Sequence, residues 1–397
     1  MNGPSPRRLW RYLNGPLRLG TFFRSPGDGH RQPQIAAQAL YCALLMGQLL
    51  RQYSFHSVEA LVCSPARRAL AVRTSFGDDA LAYFTERLDA DCTRRAAAGV
   101  LSRAKRNKAF QDSVFIGLVL DGTSSSRCRR PRCPWCRPFR NQQKQIVGYR
   151  HQLTMISVVG TGLWLPFDVE PYGPGDSEYR AGQRLLRRAV QNLGPRFADY
   201  VVVDGEFATA PFLHTADQLR LKVVARLKDN LPELLAAAQQ RFGSQPPQLC
   251  FEEGRDRVEV WDAEDFDPWE SLQWQSVRML RYRQFKPSGE VIEAYWLTNF
   301  SPRRVSSRTL YRMAKSRWEI ENQGFNEAKN RHGLEHICHH EANSLLVQWL
   351  ILVLALTLER LYRLRYLHRG THPVRTAMEL LRLFWLSLSP PKAPDSS

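Results

Sequence analysis

The sequence predicts an α/β fold: an α/β core interrupted by a β-rich insertion, preceded by a helical N-terminal domain and followed by a helical C-terminal tail. Two short apolar runs anchor the core, Val114–Leu120 closing on Asp121 and Tyr200–Val203 closing on Asp204, each aspartate followed by glycine. Helical-period segments alternate with such runs up to residue 244, whereas Gln245–Asn299 switches to two-residue alternation.

Residues 1–110 are expected to form the N-terminal domain, with helical spacing in Ile35–Leu50, Ser57–Val62, Ala80–Leu88 and Ala96–Lys108. The first part of the core, 111–244, holds the strand ending at Asp121. Strands Gln152–Val159 and Leu163–Val169 follow, with Gly160-Thr161-Gly162 as a hairpin turn between them. Next come a helix over Glu178–Asn192, the strand ending at Asp204, a helix near Pro211–Leu219, a strand Lys222–Leu227 and a helix near Leu231–Arg241. The order β-β-β-α-β-α-β-α is that of an RNase H-like core. Residues 245–300 form the insertion, with strands at Val258–Trp261, Ser276–Tyr282 and Val291–Thr298 and a turn at Pro287-Ser288-Gly289. Residues 301–345 return to the core through a helix over Thr309–Arg331 that carries Glu321. The tail, 346–397, supplies amphipathic helices over Leu345–Tyr366 and Thr376–Leu386, and Pro390–Ser397 is expected to be loose.

At 397 residues the chain can bury a sizeable core. Its net charge of +18 is carried mostly by arginine, whose planar fork matches phosphate oxygens, so a nucleic acid is the expected partner. Met1–Arg31 lacks an uninterrupted apolar leader, which predicts a cytoplasmic protein with no membrane partner. The most apolar run, Leu345–Leu358, is about 14 residues long and contains Gln348, so it reads as a buried core helix. Cysteines in such a chain are expected to be reduced or metal-bound. Cys128, Cys133 and Cys136, with His151 as a possible fourth ligand, could hold a structural Zn2+. The competing reading is an unliganded basic loop lying along DNA, with Arg129 and Arg130 in it. His336, His339 and His340 with Cys338 have the residue types of a metal cluster, but they follow the Glu321 helix at a turn and are expected to be surface or DNA-facing residues.

Asp121 and Asp204, at strand ends where glycine permits a sharp exit, present carboxylates at one edge of the sheet. Glu321 supplies a third from a helix, and Glu206 is either a supporting acid or solvated. Three carboxylates are enough to hold two hard divalent ions, Mg2+ or Mn2+, with Asp121 bridging both, Asp204 on one and Glu321 on the other. Arg317 lies four residues before Glu321 on the same helix face, where it either forms an ordinary i, i+4 ion pair with that acid or, the preferred reading, grips a phosphate. Trp318 either stacks on a displaced base or belongs to the core.

These two aspartates, followed by Arg317-Trp318-Glu319-Ile320-Glu321, Phe325 and Lys329, resemble the bacterial insertion-sequence DDE transposases that carry a Tyr-Arg-Glu-Lys signature around the third acid. At the signature's tyrosine and lysine places this chain has Ala314 and Ala328, with Tyr311 and Lys329 nearby. The resemblance covers roughly 110–345 and implies an insertion between the second aspartate and the glutamate. It implies a transposase that cuts element ends and joins them to target DNA by metal-dependent hydrolysis and transesterification. Double-stranded DNA, terminal repeats and target alike, is the implied partner, bound by a homodimer through Arg317, Trp318, Lys329 and Tyr311, beside the Arg129 and Arg130 that the basic-loop reading supplies. The N-terminal helices would contact the element ends, in a bacterial, nucleoid-associated protein. Two alternatives stay open: a non-catalytic DNA-binding descendant of a transposase, and an RNase H-like nuclease that does not join ends.

Overall fold

Several helix starts coincide with side chains that cap them. In the computed structural model, α1 (Pro6–Asn14) begins after Ser5, whose hydroxyl accepts from the Arg8 N–H, with Pro6 at the first helical position. It is followed by α2 (Ala37–Leu49), α3 (Phe55–Cys63, capped by Ser54), α4 (Asp78–Arg87) and α5 (Ala90–Arg106, capped by Asp89). The structure describes residues 4–22, 29, 33–68, 70, 72–160, 164–318, 320–366, 373–374 and 376–388. The hairpin tip Thr161-Gly162, Glu319, the loose end expected at Pro390–Ser397 and much of Met1–Arg31 lie outside them.

Among the described residues ten strands form one sheet. They are β1 (Gly117–Cys128), β2 (Arg137–Arg140), β3 (Ile146–Val159), β4 (Leu165–Pro171), β5 (Tyr200–Val203), β6 (Lys222–Leu227), β7 (Leu249–Glu253), β8 (Asp256–Phe266), β9 (Val277–Phe285) and β10 (Val291–Thr298). The order is β2-β3-β1-β5-β6-β10-β9-β8-β7, with β4 also paired to β3. β1, β5 and β6 run parallel, and β3 is antiparallel to β1. Crossovers through α6 (Glu178–Leu193) and α7 (Ala210–Gln218) give the β4-β3-β1-β5-β6 part the mixed RNase H-like arrangement, and α8 (Pro232–Gly243) follows β6.

The insertion does not fold as a layer of its own. β10 pairs antiparallel with β6, from Tyr295↔Leu227 to Thr298↔Val224, so the insertion extends the core sheet. β6 is apolar and largely buried, and β10 satisfies backbone groups that would otherwise form an open edge.

Beyond β10 the chain forms α9 (Ser307–Lys315), a π-helical turn at Ile320–Phe325, α10 (Asn326–His332), α11 (Ala342–Tyr366) and α12 (Ala377–Leu388). The single helix expected over Thr309–Arg331 is therefore broken into three pieces. α11 begins three residues before the helix expected over Leu345–Tyr366 and ends where expected, but its apolar stretch is longer than the 14 or so residues read from the sequence. Its Ala342–Leu364 stretch is long and apolar enough to cross a membrane, yet 83% of its most apolar window is buried inside the protein. Polar residues do not end it because they find partners: Thr357 donates to the Pro166 carbonyl, and Gln348 accepts from the Cys338 N–H. The N-terminal helices pack around α11 and share a continuous apolar core with one sheet face, from Leu9 through Leu101 and Leu186 to Phe384.

The joint between these layers is charged. Asp168, on β4 and 1% exposed, accepts from Arg94 Nε of α5 at 3.0 Å and from Arg188 Nε of α6 at 2.8 Å. Removing one partner of such a network leaves buried charge uncompensated. Asp168→Ala is expected to lower the unfolding free energy by about 3–5 kcal/mol in denaturant titration, and a loss below about 1 kcal/mol would show that the network does not hold the layers.

Candidate active site

The last register pair of β1 with β5 is Leu120↔Val203, so Asp121 and Asp204 are the next residues on two adjacent parallel strands. Asp204 ends its strand as expected and leads into a short helical turn, Gly205–Phe207. Asp121 does not: β1 starts only at Gly117, leaving Val114 exposed, and continues through Cys128 opposite β3, with Asp121 facing Met155. The acid is thus at the end of the β1–β5 pairing but inside the β1–β3 pairing. That double position makes it the more buried of the two aspartates.

Arg317 joins the third acid to the first. It is 2% exposed and donates from Nη1 to Asp121 Oδ2 at 3.1 Å and from Nη2 to Glu321 Oε2 at 3.0 Å. Glu321 sits in the π-helical turn with its side chain half exposed. Gly324, in the same turn, packs against the buried Trp164 ring, where a Cβ would overlap the indole. The guanidinium expected to grip a phosphate therefore lies between two carboxylates, the place of a neutralising cation.

Two acids on this edge complete the picture. Glu178, the first residue of α6 after its Ser177 cap, places its carboxylate against Gly122, where any Cβ would overlap it, and accepts from the Tyr172 hydroxyl at 3.1 Å. The sequence reading missed it, although the helix start at Glu178 was visible. Glu206 is exposed, and its charge adds to burial in raising the proton affinity of Glu178.

Burial, with the charges of Glu178 and Glu321, pushes the Asp121 carboxyl up to about 7 in spite of Arg317. Burial also works against ionised Asp204, but a 2.6 Å bond from Lys228 Nζ, the Gly205 N–H and the Arg317 charge outweigh it and hold this carboxyl below its ordinary range. Asp204 Oδ1 is buried with no hydrogen-bond partner among the described residues, leaving a lone pair free for a cation. An overloaded cluster of oxygen donors with an orphaned carboxylate oxygen suits a hard divalent ion.

The other expected site residues fall in several places. Arg129 and Arg130 are exposed on the loop after β1. Trp318 is half-buried, and Lys329 on α10 approaches Glu335 at 3.9 Å. Tyr311, expected at the DNA, is fully buried: its hydroxyl donates to Glu253 Oε2 at 2.8 Å and its ring packs on Tyr282 and Phe251, tying α9 to the inserted strands. Cys133 and Cys136 gather around His151, which is wholly buried and pushed by that burial down to about 4. Their additional neighbour is His340, expected at the surface, whose Nε2 lies 3.5 Å from Cys136 Sγ. Cys128 Sγ stands 3.8 Å from Cys136 Sγ.

A mixed RNase H-like sheet with acids gathered where β1 and β5 part company defines the class of metal-dependent enzymes acting on nucleic acids. The family model of the transposase DDE domain matches residues 112–358, more than half of the chain, and the chain belongs to that family. It is a DNA transposase, with divalent metal ions as cofactors and DNA as partner. Among solved structures it is similar to the piggyBac transposase synaptic complex with hairpin DNA, determined by cryo-EM: 12% identity, 98% of this chain and 80% of that chain covered, TM-score 0.46. No curated protein matches the chain.

The π-helical turn depends on Gly324 because the indole beneath it is rigid. Gly324→Ala is expected to cost about 1–3 kcal/mol in thermal unfolding and to lower DNA nicking by displacing Glu321. Wild-type stability and nicking in this variant would show that the turn is not tightly seated.

Proposed function

We propose that Asp121, Asp204 and Glu321 are the catalytic carboxylates of this transposase and hold two magnesium or manganese ions. One observation carries the reading: the two aspartates emerge side by side beyond the last paired residues of β1 and β5, and Arg317 links Asp121 to Glu321. When bound, the ions activate the attacking oxygen, first of water and then of a DNA 3′ hydroxyl, and stabilise the leaving oxygen. Carboxylates favour such hard ions, whereas zinc's affinity for thiolate and imidazole directs it elsewhere in the chain. Lys228 fixes the rotamer of Asp204. Arg317 neutralises Asp121 and Glu321 and keeps them together, which makes it a positioning residue in this structure.

For DNA we assign the exposed Arg129 and Arg130 beside β1, with Trp318 and Lys329 on the Glu321 side; buried Tyr311 is not among them. Contacts with the element ends are assigned to residues 1–110, where Arg7, Arg11 and Arg18 are exposed. A homodimer with one active site per element end, in a bacterial insertion-sequence transposase, completes the proposal.

A supercoiled-plasmid nicking assay with magnesium tests the acids. Asp121→Ala and Asp204→Ala should each lower cutting by roughly 10³-fold, about 4 kcal/mol of barrier, with DNA binding nearly unchanged; undiminished cutting would remove that residue from the site. Joining of a 3′-hydroxyl oligonucleotide to target plasmid is expected, and cutting without joining would instead favour a nuclease.

The pH dependence follows from Asp121. Its carboxyl takes up a proton as pH falls through about 7 and then no longer ligates. The magnesium concentration for half-maximal nicking should therefore rise by roughly three- to tenfold per pH unit below neutrality, one Asp121 proton being displaced by the ion or ion pair that it holds. A requirement unchanged from alkaline to mildly acidic pH would contradict the assignment.

A further inference from the structure

The cysteine–histidine cluster shares no residue with the carboxylates and joins one local stretch of the chain to a distant one. Cys133 and Cys136 come from the loop between β1 and β2, His151 from β3, and His340 from the segment between α10 and α11, 189 positions beyond His151. Their ligand atoms all lie within 4.8 Å of one another. Cys133 Sγ is 3.6 Å from Cys136 Sγ and 3.1 Å from His151 Nε2; Cys136 Sγ is 3.4 Å from His151 Nε2 and 3.5 Å from His340 Nε2.

These spacings match a specific polyhedron. With zinc–sulfur bonds near 2.3 Å and zinc–nitrogen bonds near 2.05 Å, a tetrahedron has sulfur–sulfur edges of about 3.8 Å and sulfur–nitrogen edges of about 3.5 Å. A disulfide would instead need the sulfurs about 2 Å apart. We propose that Cys133, Cys136, His151 and His340 bind one structural zinc ion, which clamps the loop following the Asp121 strand to the entry of α11.

The surroundings are those of a metal site. His151 Nδ1 lies 2.8 Å from Ser126 Oγ, so that bond occupies one ring nitrogen and leaves Nε2 facing the sulfurs. Ser126 reaches it because β1 bulges between Ser124 and Arg127, burying Ser125 and Ser126 together, and Ser125 donates to the Leu334 carbonyl at 2.6 Å. The Arg132 backbone N–H points at Cys136 Sγ at 3.4 Å, a donor that favours thiolate. Trp135 and Trp349 close the cluster from the side. Cys128 touches only its rim, since it does not belong to the mutually close set. A closed set of four sulfur and nitrogen ligands, with no place for a substrate, makes the site structural.

Elemental analysis of the full-length protein, purified without added metal and dialysed against magnesium, tests the proposal. One zinc per chain is expected, retained in Asp121→Asn and Cys128→Ser and lost in Cys136→Ser and His340→Ala, with circular dichroism reporting whether each variant folds. Cobalt(II) reconstitution of the wild type needs no variant: visible bands of tetrahedral cobalt with thiolate charge transfer are expected. Wild-type protein lacking zinc after growth with zinc in excess, or showing only octahedral cobalt, overturns the site. Zinc lost in Cys128→Ser but kept in His340→Ala overturns this ligand set. Zinc lost in Asp121→Asn overturns the location, and none of these readouts depends on DNA cutting.

Discussion

A single buried guanidinium holds the acidic end of the sheet together. Carboxylates repel, and gathering several in a partly dry place is unfavourable without an opposite charge among them. Arg317 supplies that charge from the junction between α9 and the π-helical turn, reaching Asp121 on β1 with one nitrogen and Glu321 with the other. Its compensation is incomplete, because burial and the neighbouring acids still raise the proton affinity of Asp121. The site is thus arranged so that added positive charge relieves it, which is what a metal-dependent enzyme requires.

The frame around that arrangement is continuous. The inserted strands lengthen the sheet, the N-terminal helices close one face against α11, and the opposite face is covered by α9, α10 and the remainder of α11. Glu321 therefore depends on packing from both sides: Trp164 beneath its turn and Tyr311 seated among the inserted strands. Tyr311 had read as a DNA contact. Its place in the apolar layer instead explains why an aromatic residue stands at that point of α9.

Much of this was legible in the sequence, and the failures share a physical cause. β5 and β6 could be bounded as short apolar runs ended by an acid or a turn, and β10 from its two-residue alternation. β1 could not, because Gly122–Ser126 is polar and becomes strand only through pairing with β3. β2 and β7 are short, half-exposed strands whose sequence carries little apolar signal. Apolar spacing runs on through the Glu321 region, so the π-helical turn left no trace in periodicity. α1 was hidden in a segment read only for its Pro, Gly and Arg content.

Among the proposed site residues, Asp121, Asp204, Glu321 and Arg317 are the ones that local sequence marks. Glu178 is not marked in this way, since what makes it notable is Gly122, far away in the chain; His340 stands out only beside His336, His339 and Cys338, while its actual neighbour Cys136 is distant in sequence. The most direct measurement of the central claim is anomalous diffraction at the manganese edge from crystals of the DNA-bound protein grown with manganese. The account predicts one peak touching both Asp121 and Asp204 and a second reaching Glu321, with Arg317 moved off at least one carboxylate. Manganese bound elsewhere, with the Arg317 bridge intact, would contradict it.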